Sequence, residues 1–290
     1  MRVLLFTDGS AGACAAATWL GQFAPAEPSV LRVVAIARTP RLPARFSSTA
    51  RSLRKLILDQ SQRRCEEARA RLGDRWRDLS VDVIEGDPHE HLLRAAEQWK
   101  PEVVVLGRNV EIEPFPSLGS LAHLGGHHLD CSVLLVGRTP DTVREIVLGM
   151  DGSPSAREAA RLLSLFSFTP PPRVLALGIV DASWRRDLAL EDIPPGIQST
   201  LGEVEAQEAA DARTHLARRT AILASRAVVE CEVTIGRPAE VLLDASRQRP
   251  ADLIAIGHQG LDPVRRLTLG SVAATLLTAA PCSLLIGRKG

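Results

Sequence analysis

Net charge is nearly absent from this chain. Its 290 residues carry 35 Lys and Arg against 34 Asp and Glu, a formal balance of +1. Polyanion binding needs basic residues massed on one face. Here the arginines are interleaved with acids, so nucleic acid is excluded as a main partner. Long apolar runs are missing at the start of the chain. Only about five apolar residues precede Asp8, too few for a signal h-region or a membrane span. Cysteine is sparse: Cys14, Cys65, Cys131, Cys231 and Cys282 are odd in number, scattered, and form no CxxC pair. That argues for reduced thiols, so the expected location is cytoplasmic, with no membrane partner. Two phosphate-loop patterns, GxxxxGK[ST] and GxGxxG, are absent. Neither a Walker NTPase nor the dinucleotide-binding glycine fingerprint is supported. No Ser/His/Asp or Cys/His set is recognisable, and no catalytic residue is assigned.

What the chain does contain is a tandem repeat. Arg2-Val-Leu-Leu-Phe-Thr-Asp8-Gly9-Ser10 is echoed by Glu145-Ile-Val-Leu-Gly-Met-Asp151-Gly152-Ser153. Gly86-Asp87-Pro88 is echoed by Gly236-Arg237-Pro238, Gly107 by Gly257, Gly119-Ser120 by Gly270-Ser271, and Cys131-Ser132 by Cys282-Ser283. The offsets run only from 143 to 151 residues and the matches keep their order. Two domains are therefore expected, 1–140 and 141–290, joined by the short polar link Arg138-Thr139-Pro140-Asp141.

Within each copy, apolar runs of strand length alternate with helix-period segments, the pattern of βαβ units and a parallel sheet. Strands are expected near 2–7, 30–37, 80–85, 102–106 and 132–136, then near 144–150, 173–180, 228–234, 252–256 and 283–287. Ser10 and Ser153 stand where N-caps belong, and Pro88 and Pro238 suit a first helical turn. Long Arg/Glu-rich helices are expected over 50–73 and 199–225, each preceded by the least regular segment of its copy, 38–48 and 181–198. The expected fold is two flavodoxin-like or Rossmann-like α/β/α sandwiches, each with a five-stranded, mainly parallel sheet. Ligands of such sheets bind at the carboxyl ends of the strands, near the switch point. That brings the Asp151 turn, the end of strand 173–180 and Gly257 to one edge.

Residues 251–271, ADLIAIGHQGLDPVRRLTLGS, combine a buried strand, a glycine loop and a helix N-terminus. These are the parts of an anion site: glycines let backbone N–H groups approach a phosphate, and a first helical turn offers unpaired donors and a favourable dipole. Arg265 and Arg266 add positive charge. With the Asp-Gly-Ser turn, the Gly257-x2-Gly260-x9-Gly270-Ser271 spacing and the closing APCSLLIG strand, the sequence resembles the universal stress protein family in its tandem form. The resemblance implies an adenine-nucleotide-binding fold, dimerisation partly through the last strand, and a role in stress survival. It implies that Asp151 contacts the ribose, that Ile179 and Val180 line the adenine pocket, and that Gly257, Gly260, Gly270 and Ser271 hold the phosphates. His258, Arg266 and Val272 complete the candidate contacts. The ligand is expected to be ATP, with AMP or ADP as alternatives, and Mg2+ is compatible with ATP. The bland reading is that Gly257 and Gly260 shape a turn, Ser271 caps a helix and Asp151 caps its own turn.

The first copy departs from the pattern. Val110 holds the place of the second glycine, and Pro114 and Pro116 stiffen the loop. Its charge is −1 over 107–120, from Arg108, Glu111 and Glu113; the second loop is +1 over 257–271, from Arg265, Arg266 and Asp262. One nucleotide per chain, in the second domain, is expected. His258 and Asp262 are the only candidate general bases there, and surface hydrogen bonding suits each better, so at most slow ATP hydrolysis is expected. His123 and His127 stand four apart, a spacing metals can use, but Gly125-Gly126 interrupts their helix and no metal site is assigned. Cys131 and Cys282 read as small core residues. The two copies are expected to pair through 132–136 and 283–287 as an intramolecular pseudo-dimer; a homodimer of two chains is left open. Three classes follow: a nucleotide-dependent regulator acting on an unidentified protein partner, a slow nucleotide-processing enzyme, or a partner-binding module without nucleotide.

Overall fold

Short apolar runs become strands where both faces of a sheet can be covered, and here they do so twice. The computed structural model describes residues 1–25, 28–40, 42–108, 129–137, 140–181, 195–258 and 269–288. The chain divides into two compact units, one built from Met1–Thr142 with Leu165–Thr169, the other from Val143–Ser164 with Pro170–Arg288.

In the first unit the strands are Arg2–Thr7 (β1), Val30–Ala37 (β2), Asp78–Glu85 (β3), Val103–Gly107 (β4) and Ser132–Val136 (β5). They lie in the order β5-β4-β1-β2-β3, and every neighbouring pair is parallel. In the second unit they are Glu145–Gly149 (β6), Arg173–Val180 (β7), Val228–Ile235 (β8), Leu253–Gly257 (β9) and Ser283–Gly287 (β10). Their order is β10-β9-β6-β7-β8, again parallel throughout. Of the two windings expected, this 3-2-1-4-5 order is the Rossmann type. Parallel strands covered on both faces read as continuous apolar runs, and every residue of β4, β5 and β10 is buried.

The helices of the first unit are Ala11–Gly21 (α1), Ser47–Leu72 (α2) and Pro88–Trp99 (α3). Those of the second are Pro154–Leu165 (α4), Pro195–Thr220 (α5), Pro238–Gln248 (α6) and Ser271–Ala279 (α7). Side-chain caps explain three of the starts, those of α1, α3 and α4. The Ser10 and Ser153 hydroxyls accept from the N–H groups of Ala13 and Ala156, at 3.2 and 3.1 Å. Helix α5 starts at Pro195, four residues before the periodicity suggested. A proline has no N–H to lose in a first turn, so Pro195 and Gly196 belong to the helix rather than to the irregular segment before it. Its end at Thr220 comes early because the chain tightens into a 3-10 turn over Ala221–Leu223.

Aromatic residues are few, yet five of them fill one pocket of the first unit. Trp19 packs edge-on against Phe23, Phe166 and Phe168 with ring centroids 5.1, 5.8 and 5.9 Å apart, and Trp76 stands 6.1 Å from Phe23. Phe166 and Phe168 come from the segment 165–169, whose Phe166–Ser167 pairs antiparallel with Ala24–Pro25. The repeat alone gives no hint that the first unit takes in this piece. No helix among the described residues is long and apolar enough to cross a membrane.

Candidate functional site

The winding of a parallel sheet decides where its loops gather. In the second unit the direction of crossover reverses between β6 and β9, which are adjacent in register from Leu253 opposite Ile146 to Ala255 opposite Leu148. Chains leaving these two strands go to opposite faces and open a crevice between them. The carboxyl end of β6 runs into Met150-Asp151-Gly152-Ser153, and that of β9 into His258.

The Asp151 turn is rigidly built. Gly152 has φ +84°, a left-handed conformation that favours glycine. Asp151 Oδ1 accepts the Ser153 N–H at 2.8 Å, so the carboxylate closes its own turn. Asp151 remains exposed, and Oδ2 has no partner among the described residues. Ser153 is fully buried, with its hydroxyl 3.0 Å from that of Ser155. On the other side of β6, Gly149 pairs with Leu177, so β7 continues past it to Ile179 and Val180. Both are half-buried at the strand end, and the Val180 carbonyl accepts the Gly236 N–H at 3.0 Å.

The described residues on either side of 259–268 are held together. His258 N–H donates to the Gly287 carbonyl, and Gly270 N–H donates to the His258 carbonyl, both at 2.9 Å. The N-terminus of α7 is thereby fixed beside the end of β9. Its N-cap is Gly270, which has no side chain to cap with. Among the described residues the N–H groups of Ser271, Val272 and Ala273 have no acceptor. Helices α1 and α3, by contrast, have their first turns closed by Ser10 and Asp87. Ser271 is exposed and Val272 half-exposed.

Gly257 has a role that phosphate contact does not require. A Cβ there would stand 2.6 Å from Ala156 N and 2.7 Å from Ser155 Oγ, in the first turn of α4. Gly107 meets Gly12 and Ala13 of α1 in the same way. The strand-end glycine is thus needed for helix packing in both units. Among the other expected contacts, Gly260 and Arg266 lie outside the described residues, as do Val110, Gly119, Ser120, His123 and His127. No group of three or more His, Cys, Asp or Glu that could hold a metal occurs among the described residues. Cys282 is buried as expected, whereas Cys131 is only half-buried.

His258 is not the surface hydrogen-bonding group that its loop position suggests. It is half-buried, and Nδ1 is buried with no partner among the described residues. Burial, reinforced by the charge of Arg288, pushes its pKa from 6.5 down to about 4. The imidazole is therefore neutral at pH 7 and a weak base.

The universal stress protein family matches residues 1–137 and again 142–288. The chain belongs to the universal stress protein family. A universal stress protein of Mycobacterium tuberculosis is 36% identical over 151 residues, covering 51% of this chain and 49% of its own. This chain thus spans about half the length of that relative. A solved universal stress protein of Archaeoglobus fulgidus covers 100% of this chain and 98% of its own, at 16% identity and a TM-score of 0.58, a likeness of fold. Another, solved in complex with cAMP, covers 51% of this chain and 98% of its own, at 20% identity and a TM-score of 0.35.

Three arginines at this end of the universal stress protein fold escape sequence reasoning. Arg157 Nη1 donates to the Gly152 carbonyl at 3.0 Å. The Arg219 guanidinium lies over Gly152, and Arg288 stands near His258. Arg157 alone left a signal, as a cation in the first turn of a helix, where the dipole disfavours it. Arg219 and Arg288 left none, because their approach depends on how α5 and β10 are placed.

Proposed function

We propose that the second unit binds an adenine nucleotide across the carboxyl ends of β6, β7 and β9, and that occupancy is the signal this protein transmits. One observation carries the reading. The Gly270–His258 hydrogen bond holds the uncapped start of α7 at the sheet's switch point, beside the Asp151 turn. Donors for phosphate and an acceptor for ribose then face one crevice.

The residues fit the chemical groups of such a ligand. Asp151 Oδ2 accepts a ribose hydroxyl while Oδ1 keeps the turn closed. Backbone groups at Ile179 and Val180 read an adenine edge beside an apolar wall. The first-turn N–H groups of α7, the Ser271 hydroxyl, Gly260 and Arg266 take the phosphates, and Mg2+ is compatible with a triphosphate. Binding changes the surface presented by residues 257–271, and a partner protein in the cytoplasm reads that change. Turnover is no part of the reading, since neutral His258 is a weak base.

Calorimetric titration of the full chain with ATP tests it, together with identification of any nucleotide released on denaturation. One adenine nucleotide per chain is expected. A stoichiometry near two would overturn the asymmetry between units, and no binding at millimolar nucleotide would overturn the reading.

A further inference from the structure

Gly152 lies against two guanidinium groups. Arg157 donates to its carbonyl at 3.0 Å. Arg219, reaching up from α5, fills the space a side chain at 152 would need, with Cζ 2.9 Å and Nη2 3.1 Å from where a Cβ would stand. Among the described residues neither arginine has an acidic partner. Arg161, Arg173, Arg237, Arg247 and Arg249 of the same unit all do. Asp151 is not their counter-ion: its Oδ1 is committed to Ser153, and no ion pair joins it to Arg157 or Arg219 among the described residues. Helix stability does not account for Arg157 either, because a cation in a first turn opposes the dipole.

We infer that this turn reads a ribose carrying a phosphate on its 2′ or 3′ oxygen. Arg157 and Arg219 hold that phosphate while Asp151 Oδ2 takes the remaining hydroxyl. The inference rests on the reading of the β6 end as a ribose site. A lone carboxylate there favours a free diol and repels a ribose phosphate; neighbouring guanidinium forks, which match phosphate geometry, reverse that preference. With Oδ1 engaged, Oδ2 needs only one hydroxyl. The ligand class is an adenine nucleotide bearing a 2′- or 3′-phosphomonoester besides its 5′-phosphate. In the first unit the place of Arg157 is held by Cys14, which leaves Arg64 alone against Gly9.

The full chain is titrated calorimetrically, at one fixed salt concentration, with 5′-AMP, adenosine 2′,5′-bisphosphate and adenosine 3′,5′-bisphosphate. At least one bisphosphate should bind about tenfold or more tightly than AMP. Arg157→Gln and Arg219→Gln should each remove most of that advantage and leave AMP affinity unchanged. Arg213→Gln, an exposed arginine on the same helix, should leave the ratio alone. Melting curves check folding; if Arg219→Gln unfolds, the exposed Arg157 decides. Equal affinity for all three nucleotides overturns the inference, as does an advantage that survives Arg157→Gln or a variant that weakens AMP equally. AMP failing to bind at all overturns instead the ribose-site reading beneath it.

Discussion

His258 offers a direct test of the electrostatics at this end of the second unit. Burial and Arg288 lower its folded pKa to about 4, against 6.5 when unfolded. The folded state therefore binds fewer protons than the unfolded state between those two values. Stability from the neutral imidazole is fully present above pH 6.5, falls as pH drops, and levels off below about 4. At pH 5 the full shift corresponds to roughly 2 kcal/mol; solvent screening of a half-buried group halves that to about 1 kcal/mol. With a urea dependence of about 2 kcal/mol per molar, the midpoint should fall by about 0.5 M more in the natural chain than in His258→Leu between pH 7.5 and 5. Leucine suits the comparison because Nδ1 has no partner among the described residues to lose.

Far-UV circular dichroism during urea titration at both pH values measures the difference, since each chain serves as its own reference for other acid effects. Proton NMR of the imidazole ring gives the second readout: one C–H resonance should titrate near 4 and vanish in the variant. Equal losses of midpoint in both proteins, or a His258 resonance titrating near 6.5, would refute the reasoning.

Five further outcomes follow from the packing and the proposed site. Gly257→Ala should destabilise the protein by about 1–3 kcal/mol, because the new methyl meets the α4 backbone. Gly202→Ala, with open space around it in α5, should stabilise by about 0.5–1 kcal/mol; thermal melts compare the two. Phe166→Ala should cost the first unit about 3–5 kcal/mol and redden tryptophan emission, since Trp19 packs on that ring. At pH 8 a thiol reagent should label exposed Cys231 at once, and Cys65 only after denaturation, because burial lifts the Cys65 thiol to about 11. Asp151→Asn keeps an Oδ1 acceptor for Ser153, so the melting temperature should hold while nucleotide affinity falls about tenfold or more, as calorimetry would show.

The strands were legible because parallel sheets buried on both faces leave uninterrupted apolar runs, and the repeat supplied each run twice. Caps were legible for the same local reason: Ser10, Ser153 and Pro88 act on backbone groups within a few residues. What escaped was set by distance. The aromatic pocket joins Trp19 to Phe166 and Phe168, residues nearly 150 positions apart with no shared periodicity. Arg219 reaches Gly152 across 67 positions from a helix whose face no spacing rule selects. His258 was misjudged because its low pKa comes from burial and from the charge of Arg288, thirty positions away, and neither appears in its own neighbourhood of sequence.

Duplication separates what the fold requires from what a ligand requires. Both units keep the left-handed glycine, at φ +76° for Gly9 and +84° for Gly152, and both keep the aspartate bond to serine, at 2.9 and 2.8 Å. Both also press a strand-end glycine onto the first helix. Loops of opposite net charge tolerate all of these, so each belongs to the architecture, and none alone argues for a nucleotide. The differences between the units bear instead on which of them takes the ligand. Cys14 stands where the second unit has Arg157, Arg108 where it has His258, and Gly137 where it has Arg288. Substituting Gly257 therefore tests the fold before it tests function. Arg157→Gln, at a position the first unit does not share, and Asp151→Asn, which keeps the acceptor for Ser153, test the function itself.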